Sequence, residues 1–300
     1  MATDITINIR GRLADFRRPW VMGIVNVTPD SFYSGSRTRS ADEIEKRVAT
    51  MMADGADCID VGGYSSRPGA EEVSPDEEWS RVATALDVIR RRWPEAVVSV
   101  DTFRASVAAK CADQYGVDII NDIGGGDLDP EIWEVVASRR LAYVLMHMRG
   151  TPATMQTLTD YTDITAEVYT DLAMKVARLR QTGVADIIID PGFGFAKTLQ
   201  QNYELLASMS HLKDLGLPVL AGLSRKSMIW KALGRDPGDT LEGTVALDTV
   251  ALLNGADILR VHDVRPAADT VRLLSLMPGF RGHASGASHD KVSKQHQQPQ

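Results

Sequence analysis

The feature that most limits what this chain can fold into is an alternation that runs almost from end to end. Short apolar runs at 19–26, 58–61, 97–101, 119–121, 142–147, 187–190, 218–222 and 258–261 have the length and composition of buried strands. Amphipathic stretches at 42–54, 76–92, 104–115, 130–138, 164–182, 198–209, 240–253 and 265–276 separate them. Ser40 and Ser74-Pro75 stand where helix starts need a side-chain acceptor, and Gly55, Gly116, Gly183 and Gly216 stand just past helix ends. Eight strands alternating with eight helices predict an α/β protein, a single (β/α)8 barrel over residues 1–278. An open doubly wound sheet is the alternative. It would more naturally carry a Gly-rich phosphate loop after its first strand, whereas Gly124-Gly125-Gly126 follows the fourth. From Gly279 to Gln300 the periodicity gives way to a stretch rich in Gly, Ser, His and Gln, which reads as a disordered tail.

Composition removes several function classes. A chain of 300 residues, 44% of them hydrophobic, can bury a full-sized core. Its net charge of −7 argues against a nucleic-acid surface, and Arg90-Arg91-Arg92 reads as a solvated helix end. Cys58 and Cys111 are the two cysteines, without metal-ligand spacing, and read as buried apolar groups. The first ten residues lack the basic-then-apolar order of a secretory signal and no run is long enough to span a bilayer, so the expected setting is cytoplasmic, without a membrane partner.

What the strands end in points to chemistry. The first runs into Asn26-Val-Thr28-Pro-Asp30-Ser31-Phe32, and the others end at or near Asp60, Asp101, Asn121, His147, Asp190, Ser224-Arg225-Lys226 and Arg260-Val261-His262. In α/β barrels ligands gather at the C-terminal ends of strands. Two carboxylates and an amide at Asp101, Asp190 and Asn121 suit a flat heterocycle with several N–H donors, because ionised Asp only accepts while Asn does both. The plainer alternative is that each Asp caps the helix after it. Arg225, Lys226 and Arg260 near the seventh and eighth strands suit an anion such as phosphate, with surface ion pairing as the alternative. Gly62-Gly-Tyr64-Ser65-Ser66-Arg67-Pro68-Gly69 reads either as a lid or as a rigid turn. There is no HExxH, no Ser-centred elbow and no Walker loop.

Five segments in this order resemble the motifs of the dihydropteroate synthase family: Asn26 to Phe32, Gly62 to Gly69, Asp190-Pro-Gly-Phe-Gly-Phe-Ala-Lys197, Ser224-Arg225-Lys226 and Arg260-Val261-His262. The similarity runs from about Pro19 to Met277. It implies a barrel that joins 6-hydroxymethyl-7,8-dihydropterin pyrophosphate to p-aminobenzoate, releasing pyrophosphate. By that resemblance Asp101, Asn121, Asp190 and Lys226 hold the pterin, and Met146, Phe195 and Gly222 line its pocket. Asn26, Arg260 and His262 fall at the pyrophosphate end, with Asn26 a ligand of Mg2+, the implied cofactor. Ser66, Arg67, Pro68 and Ser227 form the p-aminobenzoate side, together with Phe195 and Lys226. Family members are commonly dimeric through barrel helices, which implies a homodimer here.

Three positions depart from the family pattern. Ser34 stands where a second Asp of the first loop is usual, and Tyr64 and Ser66 stand where many members have Glu and Thr. Two other functions therefore stay open. One is a pterin-binding methyltransferase barrel, which would not need Ser224-Arg225-Lys226; the other is a catalytically silent paralogue, which Ser34 favours.

Overall fold

The computed structural model describes residues 5–27, 37–65 and 73–280, with side chains from residue 41 in the second stretch. The chain begins with an antiparallel hairpin, β1 (Thr6–Ile9) and β2 (Arg12–Asp15). Eight parallel strands follow: β3 (Trp20–Asn26), β4 (Cys58–Gly62), β5 (Val97–Asp101), β6 (Ile119–Asp122), β7 (Ala142–Met146), β8 (Ile187–Asp190), β9 (Leu220–Ala221) and β10 (Ile258–Val261). They run in the order β8-β7-β6-β5-β4-β3-β10-β9, and a parallel bridge between Ile189 and Val219 joins the two ends. Around this ring lie α1 (Arg37–Ala53), α2 (Pro75–Arg92), α3 (Ala105–Tyr115), α4 (Ile132–Arg139), α5 (Ile164–Gln181), α6 (Leu199–Ala207), α7 (Ser227–Leu233), α8 (Leu241–Leu253) and α9 (Val264–Leu274). The expected (β/α)8 barrel is the observed one.

Period-two alternation divides each strand between two environments. On β5, Val98 and Val100 pack outward against the helices, while Val97 joins the interior of the ring. Met22, Cys58, Ile119, Val144, Ile188, Leu220 and Ile258 fill that interior low in the barrel. The same alternation aims Asp101 inward, one layer above. Helix ends follow local rules. Ser74 accepts from Glu77 N at 3.2 Å with Pro75 just inside α2, and Thr198 and Gln201 form a reciprocal capping box on α6.

Four details differ from the sequence reading. α1 already includes Ser40, which therefore is not its cap. Arg90 is not part of a solvated end: it donates to Tyr115 O at 2.8 Å, Ala96 O at 2.7 Å and Gly116 O at 2.9 Å, while Arg91 and Arg92 are exposed. A short helix, α7, fills the long stretch after the seventh strand. Order also continues to Phe280, which packs against the core; residues 281–300 of the expected tail lie outside the described residues.

The hairpin was not foreseen, since two four-residue strands carry little periodicity. It closes the base of the barrel, with Ile7, Ile9 and Phe16 joining the interior cluster. Arg10 reaches the buried Asp118 through two bonds of 2.6 and 2.9 Å, and Asn8 N donates to Asp186 Oδ1 at 2.8 Å. The hairpin thus seals the ring below, and the C-terminal ends of the strands lie at the opposite end.

Candidate active site

Arg260 organises the C-terminal end of the barrel. Its Nε donates to Asp60 Oδ2 at 2.6 Å and its Nη2 to Asp101 Oδ2 at 2.5 Å, while Asn121 Nδ2 donates to the same Asp60 oxygen at 3.2 Å. Asp60 and Asn121 are buried, whereas the Asp101 and Arg260 side chains keep about a fifth of their surface in the mouth. Burial works against the charge on Arg260, but Asp60 and Asp101 outweigh it and raise its pKa. Burial likewise pushes Asp101 up to about 7 against the pull of Arg260. Asp190 is also raised by burial, with Lys226 the main opposing influence. Among the described residues Asp60 Oδ1 has no hydrogen-bond partner.

The loops after β8 and β9 supply the second half. Lys226 caps α7, donates from Nζ to the carbonyl of Phe193 and lies 4.8 Å from the centre of the Phe195 ring. Burial lowers its pKa to about 8. Gly222 leaves the floor beneath it open, since a Cβ there would stand 3.7 Å from Lys226 Nζ. Ser227 opens the helix behind Lys226. Ser224 Oγ accepts from the His262 backbone N–H and lies 3.2 Å from His262 Nδ1. Its own O–H can then donate to Nδ1, which places the ring proton on Nε2. Burial and Arg260 hold the His262 pKa near 4, so the ring is neutral at pH 7.

Arg225 corrects one expectation. It spends its fork on Asp263, at 2.9 and 2.7 Å, and takes a left-handed backbone with φ of 58°. Surface ion pairing, not anion binding, describes it. Helix capping by the strand-end carboxylates fails at Asp101: α3 begins at an Arg104 without a side-chain cap bond, and Arg104 N instead donates to Thr102 Oγ1. The neighbouring strand-end carboxylate caps a turn and not α4, which opens at Glu131 without a side-chain cap bond. Asp122 accepts from Gly124 N and Gly126 N at 2.6 and 2.8 Å and from Tyr143 Oη at 2.6 Å. The three consecutive glycines therefore wrap a carboxylate.

Met146 and Phe195 meet in one apolar wall with Ile123, Met148, Met155, Ala196, Phe103 and Leu128. Asn26 stands on the far side; its Oδ1 and Asp101 Oδ2 would each lie 3.7 Å from a Cβ on Gly62. Ser66, Arg67 and Pro68 lie outside the described residues, as do Thr28, Asp30, Ser31, Phe32 and Ser34. Among the described residues no cluster of three His, Cys, Asp or Glu could cage a metal, and no helix is long and apolar enough to cross a membrane. A single amide oxygen at Asn26 still fits Mg2+ that arrives on a substrate phosphate, because Mg2+ keeps several waters and needs few protein ligands. The sequence reading assigned no role to Asp60, His147 or Lys197. Asp60 and His147 were visible as strand ends, and Lys197 as the last residue of a motif.

Strand-borne carboxylates, a buried arginine between them and a lysine over an aromatic ring define a class of barrel that holds a polar heterocycle at its mouth. The chain belongs to the pterin-binding enzyme family, whose model matches residues 22–262. Within that family its relatives are dihydropteroate synthases. The enzyme of Synechocystis is 45% identical over 260 residues, covering 86% of this chain and 89% of the relative. The Yersinia pestis synthase, solved with a sulfonamide drug complex, superposes with a TM-score of 0.83 at 39% identity over 90% of this chain and 98% of that one. The Xanthomonas albilineans synthase with 4-aminobenzoic acid gives a TM-score of 0.83 at 37% identity over 92% of this chain and all (100%) of that one.

Proposed function

We infer that this chain performs the dihydropteroate synthase reaction, the condensation of 6-hydroxymethyl-7,8-dihydropterin pyrophosphate with p-aminobenzoate in folate biosynthesis. The observation that carries the reading at the level of residues is the Arg260 array. Arg260 binds Asp101 and shares Asp60 with Asn121, while Asp190 on β8 feels the charges of Lys226 and Arg260.

In the arrangement we propose, Asp101 and Asp190 accept the pterin N–H groups, Asn121 both donates and accepts, and Met146, Phe195 and Gly222 shape the slot. Lys226 donates to a ring acceptor. Pyrophosphate leaves toward Asn26, Arg260 and His262. Arg260 keeps Nη1 without a partner among the described residues, so it can pair with Asp101 and still offer a donor. Neutral His262 offers its Nε2–H. Mg2+, held through Asn26 and the phosphates, would supply charge neutralisation of the leaving group. Ser66, Arg67, Pro68 and Ser227 would receive p-aminobenzoate, whose neutral amine attacks carbon and loses its proton afterwards. The two carboxylates also favour positive charge that develops on the pterin as the C–O bond opens.

A homodimer and a cytosolic setting belong to the same reading. The dimer is supported by one exposed apolar face: Leu253 on α8, Leu273 on α9, and Leu276 and Met277 just after it are about half to two-thirds exposed. The cytosol is supported by two thiols, Cys58 and Cys111, that are free and buried.

The test is pyrophosphate release from the dihydropterin pyrophosphate with Mg2+, with and without p-aminobenzoate. Release that depends on p-aminobenzoate is expected. Pterin binding without release would refute the reading in favour of a silent paralogue, and Ser34→Asp would then be the first reversion to make.

A further inference from the structure

Lys197 ends the loop that follows β8, and no role has yet been given to it. The side chain turns back under the loop and is more than nine-tenths buried. Its ammonium meets three acceptors: Gly192 O at 2.9 Å, Phe195 O at 3.0 Å and His147 Nδ1 at 3.0 Å. Burial lowers its pKa to about 7 against the pull of Asp190, and in the protonated form its three N–H donors are fully used. The loop around it is unusual. Gly192, Gly194 and Ala196 all have positive φ, of 70°, 82° and 50°, and Ala196 has a side chain that disfavours it. Gly192 presses so close to β7 that a Cβ there would lie 2.0 Å from His147 O. Gly194 N is held by Asn202 Oδ1 at 2.6 Å. What this conformation delivers is the Phe195 ring and the Phe193 carbonyl, both against Lys226.

We propose that Lys197, braced by His147, is a positioning residue for the second substrate: its ammonium fixes the loop that sets Phe195 and Phe193 O against Lys226. In this reading the pterin keeps anchors outside the loop, Asp101 and Asn121 on β5 and β6, whereas p-aminobenzoate leans on Phe195 and Lys226 and so depends on the loop more heavily. The assignment of substrates rests on the synthase reading; the brace itself does not.

Lys197→Met removes the ammonium at similar length, His147→Leu removes its side-chain acceptor, and His147→Asn offers an amide oxygen in place of Nδ1. Hydrogen exchange of the 190–197 amides should quicken at least tenfold in Lys197→Met and His147→Leu, with α2 and α5 unchanged. The KM for p-aminobenzoate should rise about tenfold, the Kd of 6-hydroxymethylpterin should stay within threefold, and His147→Asn should stay close to wild type in all three readouts. Wild-type exchange in both Lys197→Met and His147→Leu would overturn the brace. Faster exchange with an unchanged KM would overturn the positioning role, as would equal losses for both substrates. If Lys197→Met does not fold, the His147 pair decides. Wild-type protein that fails to condense the substrates would refute the synthase reading, and the exchange arm would still judge the brace.

Discussion

Arg260→Ala should destabilise the protein in a way that depends strongly on pH. The wild-type guanidinium meets Asp60 at 2.6 Å and Asp101 at 2.5 Å, and Asp60 is wholly buried. Its removal leaves two carboxylates facing each other without a cation, a change that costs about 3–5 kcal/mol when both are charged. The variant can escape part of that by taking up a proton. Burial already raises Asp101 to about 7 with Arg260 as the chief opposing influence, so loss of Arg260 raises it further. An unfolded Asp titrates near 4. Between those values the folded variant binds a proton that the unfolded chain does not, so its stability falls as pH rises through that window. One proton over about 3.5 pH units is worth at most about 4.8 kcal/mol. Wild-type Asp101 titrates in the same range, so roughly 2 kcal/mol of the difference should remain. Urea unfolding at about pH 5 and about pH 8.5 measures it. A stability loss equal at both pH values, or below about 1 kcal/mol at the higher one, would refute the argument.

Asp101→Asn should weaken binding of a pterin by roughly 1.5–3 kcal/mol, the scale of a hydrogen bond to a charged group, read by calorimetry. Unchanged affinity would remove Asp101 from the site. Protonated Lys226 is a charge-assisted donor, stronger than the neutral amine, and its pKa is lowered to about 8, so kcat/KM for the pterin substrate should fall as pH rises above that value. Lys226→Arg, which stays charged, should flatten this limb; an unchanged limb would assign it to another group. Leu273→Arg together with Leu276→Arg should shift sedimentation toward a monomer at micromolar concentration, and a dimer that persists would place the interface elsewhere.

The barrel could be read before the structure because it rests on local signals. Val97 to Asp101 alternates between two apolar environments, and both Ser74 and Thr198 cap helices as their residue types suggest. Strand-end carboxylates were legible for the same reason, since a polar residue that closes an apolar run has few places to go. Long-range pairing was not legible. Nothing near Arg90 in the chain announces that it binds the carbonyls of Ala96, Tyr115 and Gly116, and nothing near Arg225 announces Asp263. Asp60 was overlooked as a site residue although it sits two residues from a strand end, because its partner Arg260 lies 200 residues away. The position of Gly124-Gly125-Gly126 after the fourth strand spoke against a phosphate loop, but nothing in it announced that the Gly124 and Gly126 amides turn back onto Asp122.

The seal at the base of the barrel orders events during synthesis. The hairpin is translated before the barrel, yet Asn8 N waits for Asp186, 178 residues later. At roughly 5–20 residues per second the ribosome needs about 10–35 seconds to deliver that partner. Through that interval Ile7, Ile9 and Phe16 have no barrel interior to enter, because Ile188, Leu220 and Ile258 do not yet exist. Residues made before the barrel are thus buried only after most of it. A nascent chain of this design carries an exposed apolar arm until almost its whole length has emerged, which makes that arm the natural target of a chaperone that acts at the tunnel exit.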